Sequence, residues 1–337
     1  MAQRISLTDP RLSWAGAVSV EHINGWSMPW RIEHTQRRLF HTGLVERAAM
    51  PAGVRLTFRT NSTTLAGRVR TNGDAPVMDI CSDGELMASI SLLGTDAFSI
   101  EGLPADDKLI ELWLPHFGQV RFHSLAIDEE ASLSLHVDPQ PRWITYGSSI
   151  SQCRTAPTPT QTWPGIVARN YNLNLTCLGF GGQCHLDAMI ARQIRDMAAD
   201  MISLCVGINI YGNGSLNPRS FSPAILGFVQ IVRESHPSTP IVLMSPIFSP
   251  EREETINSAG FTLVQMREDV QASVETLKSM GDENIHYVHG LDILGADLAH
   301  LLPDSLHPDA EGYRIMGERI GKLMVEQYFG QNMQHIT

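Results

Sequence analysis

The spacing of apolar residues changes once along this chain, at Asp138-Pro139-Gln140-Pro141, and that change limits the fold more than any other feature. From about residue 53 to 137 apolar side chains alternate with others, as in Val54/Leu56/Phe58, Ile110/Leu112/Leu114 and Leu133/Leu135/Val137. A period of two belongs to half-buried strands, so residues 1–138 are expected to form an all-β sandwich or jelly-roll domain. Ser82-Asp83-Gly84, between Val77–Cys81 and Leu86–Leu92, predicts a hairpin, because Asp-Gly supplies the positive φ a tight turn requires. Beyond the prolines, short apolar runs alternate with amphipathic segments, the signature of an α/β domain over residues 139–337. The runs Trp143–Tyr146, Leu173–Leu178, Met201–Val206, Pro240–Ser245 and Ile285–Val288 predict a five-stranded parallel sheet buried on both faces. Between them, Phe221, Ile225, Phe228, Val229 and Val232 predict a helix capped at Ser222-Pro223. Leu263 to Leu277 predict a second, and Asp309–Phe329 a last one with Tyr313, Met316, Ile320 and Leu323 inward.

In a parallel α/β sheet, ligands gather beyond the carboxyl ends of the strands. Four polar segments fall there: Gly147-Ser148-Ser149-Ile150, Gly179-Phe180-Gly181-Gly182, Gly207-Ile208-Asn209 and, before the last helix, Asp304-Ser305-Leu306-His307. Together they hold what acyl transfer requires. Ser149, on a strand-to-helix turn, would present its hydroxyl. A hydroxyl is a poor nucleophile until a base takes its proton; His307 is the candidate base, and Asp304 the carboxylate that fixes its tautomer. The N–H groups of Ser149 and Gly182 and the side-chain amide of Asn209 would stabilise an oxyanion.

The segments YGSSISQC, LGFGGQCHLD, VGINIYG and DSLHPDAEGY, in this order, resemble the four sequence blocks of SGNH (GDSL-like) hydrolases, over residues 143–329. The resemblance implies a flavodoxin-like three-layer α/β/α domain. It also implies Ser149 as nucleophile, Gly182 and Asn209 in the oxyanion hole, and Asp304 with His307 completing a triad. With a β-sandwich in front, the chain resembles the two-domain subgroup of acylhydrolases and carbohydrate acetyl esterases. Two positions depart from the commonest blocks: Ser148 stands where Asp usually precedes the nucleophile, and Ile210 where a second Asp often follows the asparagine. Neither removes a group that performs a chemical step, but the usual hydrogen bonds around the nucleophile turn do not carry over.

The expected activity is therefore cleavage of small acyl esters through a covalent acyl-enzyme, with no metal or cofactor. Carbohydrate O-deacetylation and acyl transfer would use the same residues; a glycan-binding module with an inactive partner domain is the non-enzyme alternative. Trp163, Tyr211, Asn213 and His289 are candidates for the substrate pocket, with His286 beside His289 at the same mouth. The plainer readings are core packing for Trp163 and a Gly-Asn-Gly turn for Asn213. His185, His286 and His289 are the rivals of His307 as base. Trp26, Trp30 and Trp113 make either a sugar-stacking platform or, more plainly, packing. The net charge of -11 disfavours nucleic acid and anionic membrane, leaving a small-molecule ester or acylated sugar as partner, with the oligomeric state open. The start MAQRISLTDPRLSW lacks a basic head before an apolar run, and no stretch approaches the ~20 apolar residues that span a bilayer, so a cytoplasmic protein is expected. Five cysteines without CxxC spacing argue against both a disulfide framework and a zinc cage.

Overall fold

The computed structural model describes residues 2–329; residue 1 and residues 330–337, which the expected domain limits include, lie outside the described residues. The chain divides into two compact units, one built on the residues up to Pro139 together with 157–160 and 174–177, the other on the remainder.

In the first unit, alternation produces two antiparallel sheets. One orders Ser19–Ile23, Trp26–Trp30, Val120–Asp128, Thr64–Thr71 and Ala97–Glu101, with Ala2–Ile5 also pairing to Val120–Asp128. The other orders Ser13–Ala15, Arg55–Thr60, Lys108–Trp113, Val77–Ser82 and Glu85–Ser91. Leu56, Phe58, Ile80, Ile110 and Leu112 of the second meet Leu65, Val69, Val120, Phe122 and Leu125 of the first in one apolar core. The hairpin forms as expected, with Ser82 opposite Glu85 and both turn residues at positive φ, 46° for Asp83 and 82° for Gly84. Leu133/Leu135/Val137 do not form a strand. Only Ser134 bridges to Arg59, and Leu135 and Val137 are 46% and 76% exposed, so their alternation has no ladder to join. Of the three tryptophans, Trp30 and Trp113 are buried and Trp26 is half-buried, yet none belongs to the sandwich core.

The parallel sheet of the α/β domain comprises β1 (Arg142–Gly147), β2 (Asn174–Gly179), β3 (Met201–Cys205), β4 (Ile241–Met244) and β5 (Ile285–Val288), in the order β2-β1-β3-β4-β5. This is the flavodoxin order, and its reversal point lies between β1 and β3. Helices Trp163–Asn170 and Ala310–Ile320 pack on each other as one layer; Ala188–Asp196, Phe221–Arg233 and Leu263–Ser279 pack in series as the other. The residues of β4 are all buried, as a strand covered on both faces must be.

Two helix expectations need correction. Ser220, not Ser222, caps Phe221–Arg233: the Phe221 N–H already bonds to Asn217, so the helix is under way before Pro223, whose missing N–H costs nothing in the first turn. The single helix expected over Asp309–Phe329 holds only to Ile320, and a π-turn follows at Gly321–Glu326. The extra residue per turn rotates the face, so Met324 and Val325 are buried and Leu323 only half-buried. Among the described residues, no helix is long and apolar enough to cross a membrane.

Candidate active site

β1 runs directly into the short helical turn Ser149–Gln152. Ser148 makes this abrupt change possible, because its buried hydroxyl accepts the Ile150 N–H (3.1 Å) and so caps the turn where the resembled block carries Asp. The Phe180 N–H donates to the Gly147 carbonyl (2.7 Å), and the Trp163 indole donates to the Ile150 carbonyl (3.0 Å), fixing the turn from two sides. Gly179 must lack a side chain: a Cβ there would lie 2.5 Å from the Gln152 nitrogen and 2.6 Å from the Ser151 carbonyl carbon. The end of β2 therefore lies against the turn that carries Ser149.

The other half of the arrangement is local. Asp304 Oδ1 accepts the N–H groups of Leu306 (3.1 Å) and His307 (2.6 Å), closing a tight turn with Ser305 at its left-handed centre, φ 60°. Its second oxygen faces His307 Nδ1 at 2.6 Å, and His307 Nε2 lies 2.8 Å from the Ser149 hydroxyl. Burial pushes the Asp304 carboxyl up, but the hydrogen bonds from the His307 main chain, its ring and Leu306 together hold it below the ordinary carboxylate value. An ionised Asp304 makes Nδ1 the donor, which leaves Nε2 to accept the Ser149 proton. Sequence reasoning missed what pins this turn from outside: the Ser305 carbonyl accepts from the Ser249 hydroxyl (2.6 Å) and from Arg252 Nη1 (3.2 Å).

Three donors of the expected oxyanion hole have no acceptor among the described residues: the N–H groups of Ser149 and Gly182 and the side-chain amide of Asn209. The Asn209 carbonyl oxygen is already taken by the Cys184 N–H (3.1 Å), which turns the NH₂ group away from that partner. The Gly181-Gly182 turn is close, since a Cβ at Gly181 would sit 3.5 Å from Ser149 Cβ. Gly182 adopts φ 71°, and a Cβ there would meet nothing within 4 Å, so its requirement for glycine is conformational and its side faces open space. Gln152, missed from sequence although it sits one helical turn after Ser149, holds the adjoining Gly181 N–H through its buried side chain (2.9 Å). His185 and Asn213 hold the Gly182 carbonyl, His185 Nε2 donating at 3.1 Å and Asn213 Nδ2 at 3.4 Å, while the Ser215 hydroxyl lies 2.8 Å from His185 Nδ1.

The pocket candidates separate. Asn213 stands beside the Gly182 loop. Trp163 is fully buried against Trp143 and lines, with Ser148, Ile150 and Leu306, a cavity of about 30 Å³ behind the nucleophile turn. That space holds little more than a water, and Ser149, Gly182 and Asn209 do not line it. Tyr211 is buried, and its hydroxyl donates to the Thr255 carbonyl (2.8 Å). His289 caps a short helix by accepting the Leu291 N–H at Nδ1 (3.2 Å). His286 does not face the mouth: it stacks on Tyr328 (4.2 Å between rings), with Lys278, Arg233 and Asp282 as its charged neighbours, because the middle of β5 points its side chain away from the loops. Among the described residues, no three His, Cys, Asp or Glu side chains gather as a metal site requires.

Both units have known counterparts. Residues 12–123 match the SsfX3 N-terminal domain, and residues 140–320 match the GDSL-like lipase/acylhydrolase family. Among solved structures, the chain is similar to the salicylyl-acyltransferase SsfX3 from a tetracycline biosynthetic pathway, at 38% identity over 96% of this chain and 97% of that one, with a TM-score of 0.91. It shares a fold with a family two carbohydrate esterase from Cellvibrio japonicus (15% identity, 97% and 98% covered, TM-score 0.66). The same holds for an acetyl xylan esterase from the rumen bacterium Butyrivibrio proteoclasticus (11% identity, 98% and 100% covered, TM-score 0.62). No curated protein matches the chain.

Proposed function

Since this chain belongs to the GDSL-like lipase/acylhydrolase family and is an SGNH-type enzyme, an acyl-ester hydrolase or acyltransferase, we propose that Ser149 is its nucleophile, His307 its general base and Asp304 the carboxylate that orients the base. Ser149 Oγ attacks the ester carbonyl as its proton passes to His307 Nε2, and the imidazolium so formed is stabilised by Asp304. The tetrahedral oxyanion takes up the three unspent donors of Ser149, Gly182 and Asn209. Collapse expels the alcohol, which leaves with the proton from Nε2, and Ser149 keeps the acyl group. A water or a second hydroxyl, deprotonated by the same nitrogen, then releases the acid or a new ester and restores the serine. The chemistry falls within residues 139–337, with residues 1–138 as a separate domain.

The observation that carries this reading is the 2.8 Å approach of Ser149 to an imidazole already paired with a carboxylate. A fluorophosphonate probe is expected to label Ser149, and Ser149→Ala to lose both the label and turnover of p-nitrophenyl acetate. Labelling that survives the substitution would place the nucleophile elsewhere.

Hydrolysis and transfer differ only in what resolves the acyl-enzyme. The 38% identity to a salicylyl-acyltransferase across nearly the whole chain favours transfer over hydrolysis. Product analysis with added alcohol decides: more transfer product than free acid establishes transfer, and free acid alone establishes a small-acyl esterase.

A further inference from the structure

The first unit carries a pocket that the proposed chemistry does not use. It lies on the outer face of the sheet formed by Ser19–Ile23, Trp26–Trp30 and Val120–Asp128, opposite the apolar core. An antiparallel sheet normally shows polar side chains on such a face. Here Trp26, Met28 and Trp30 project from one strand at the period of two, with Glu21 directly across from Met28 in the neighbouring strand. The helical segments His34–Leu39 and Thr42–Ala48 contribute Arg37 and Val45 to the rim. The pocket is open to solvent on one side and offers about 420 Å³, within the range of roughly 300–1,000 Å³ typical of small-molecule sites.

The polar groups are unevenly committed. Glu21 accepts from the Trp30 indole (3.2 Å) and from Arg37 (3.2 Å), so that pair is internally neutral. Arg121, which lines the pocket, stands opposite Arg70 in the cross-strand register, and no acidic partner is found for either among the described residues. Two like charges facing each other across a ladder are unfavourable. Arg70 lies over one face of Trp26, 4.6 Å from the ring centre, with His123 at its edge, which leaves the rest of this half-buried indole to the pocket. An aromatic wall beside the uncompensated Arg121 guanidinium fits a ligand that presents a C–H face to the indole and a carboxylate to the arginine.

We propose that this pocket binds an acidic saccharide, a uronate-containing oligosaccharide, with its ring on Trp26 and its carboxylate on Arg121. The site is independent of Ser149 and stands whatever the active site does.

The test is calorimetric titration of the full-length protein with tri-galacturonate, with cellotriose and inorganic phosphate as controls. Saturable binding of tri-galacturonate is expected, weakened roughly tenfold by Trp26→Ala and about ten- to a hundredfold by Arg121→Gln. Circular dichroism checks that Trp26→Ala remains folded; Arg121 is exposed, so its replacement keeps the test sound if the tryptophan variant does not fold. No saturable binding of tri-galacturonate overturns the proposal. Equal affinity for cellotriose removes the role of the carboxylate and overturns it too, as does phosphate binding at the same affinity and sensitivity to Arg121→Gln, which would reduce the site to an anion patch.

Discussion

In the proposed mechanism, Ser149, His307 and Asp304 act together while Asn209 serves only the oxyanion, so replacing Asn209 should be distinguishable from replacing a member of the triad. His307→Ala removes the base and is expected to lower kcat by roughly 10⁴-fold or more. Asn209→Ala removes one donor used only by the oxyanion, and is expected to lower kcat by about 10²–10³ with KM nearly unchanged. His289→Ala, a helix cap, should leave turnover near normal; steady-state kinetics on p-nitrophenyl acetate compare all three. Asp304→Asn should match His307→Ala within about tenfold, because an amide at Oδ2 no longer holds the proton on Nδ1. Asp304 also carries a stability consequence. Its carboxyl is held below the ordinary value, so the folded state is stabilised while pH stays above the unfolded carboxylate range, and that contribution is lost as pH falls through the folded value. The urea midpoint of the natural protein should exceed that of Asp304→Asn at pH 7, and the gap should shrink in acid. A gap that widens in acid would contradict the assignment.

At the level of elements, what a sequence shows depends on whether burial alone decides the outcome. The strand runs were readable because a strand covered on both faces has no choice but apolar residues, as in Ile241–Met244. The segment Leu133/Leu135/Val137 has the alternation of the sandwich strands and forms no strand, since pattern says nothing about whether a neighbour is present to pair with it. The π-turn after Ile320 was hidden because no residue type demands it. In the site, the order of the segments made the meeting of Ser149, His307 and Asp304 readable, whereas Gln152, Ser249 and Arg252 support it through contacts that no motif announces. Two variants test these supports. Gly179→Ala should cost about 1–3 kcal/mol, because the end of β2 would be forced off the Ser149 turn; both the melting temperature and kcat should fall. Arg252→Met removes one donor to the Ser305 carbonyl and should lower kcat by up to about 10²-fold, with KM little changed and Arg252→Lys recovering part of the loss. Equal effects on kcat and on stability in Arg252→Met would mean a merely structural role.

For the molecule as a whole, a net charge of -11 sets a field that every ester must cross. Anionic esters are repelled at long range and cationic ones attracted, an effect that salt screens over about 8–10 Å at ordinary ionic strength. Raising salt should therefore increase kcat/KM for an anionic ester, decrease it for a cationic one, and leave a neutral one unchanged. Identical salt responses for all three would show that the bulk charge does not reach the site. The Asp304–His307 turn has a consequence for how such a molecule wears out. Because acid and base are neighbours in the chain, their partnership can outlast the loosening of the sheet, whereas Ser149 reaches them across 158 positions of sequence. Gentle heating should silence turnover while the imidazole still reports a carboxylate companion, so that the first casualty of ageing is an introduction between distant relatives rather than the bond between close ones.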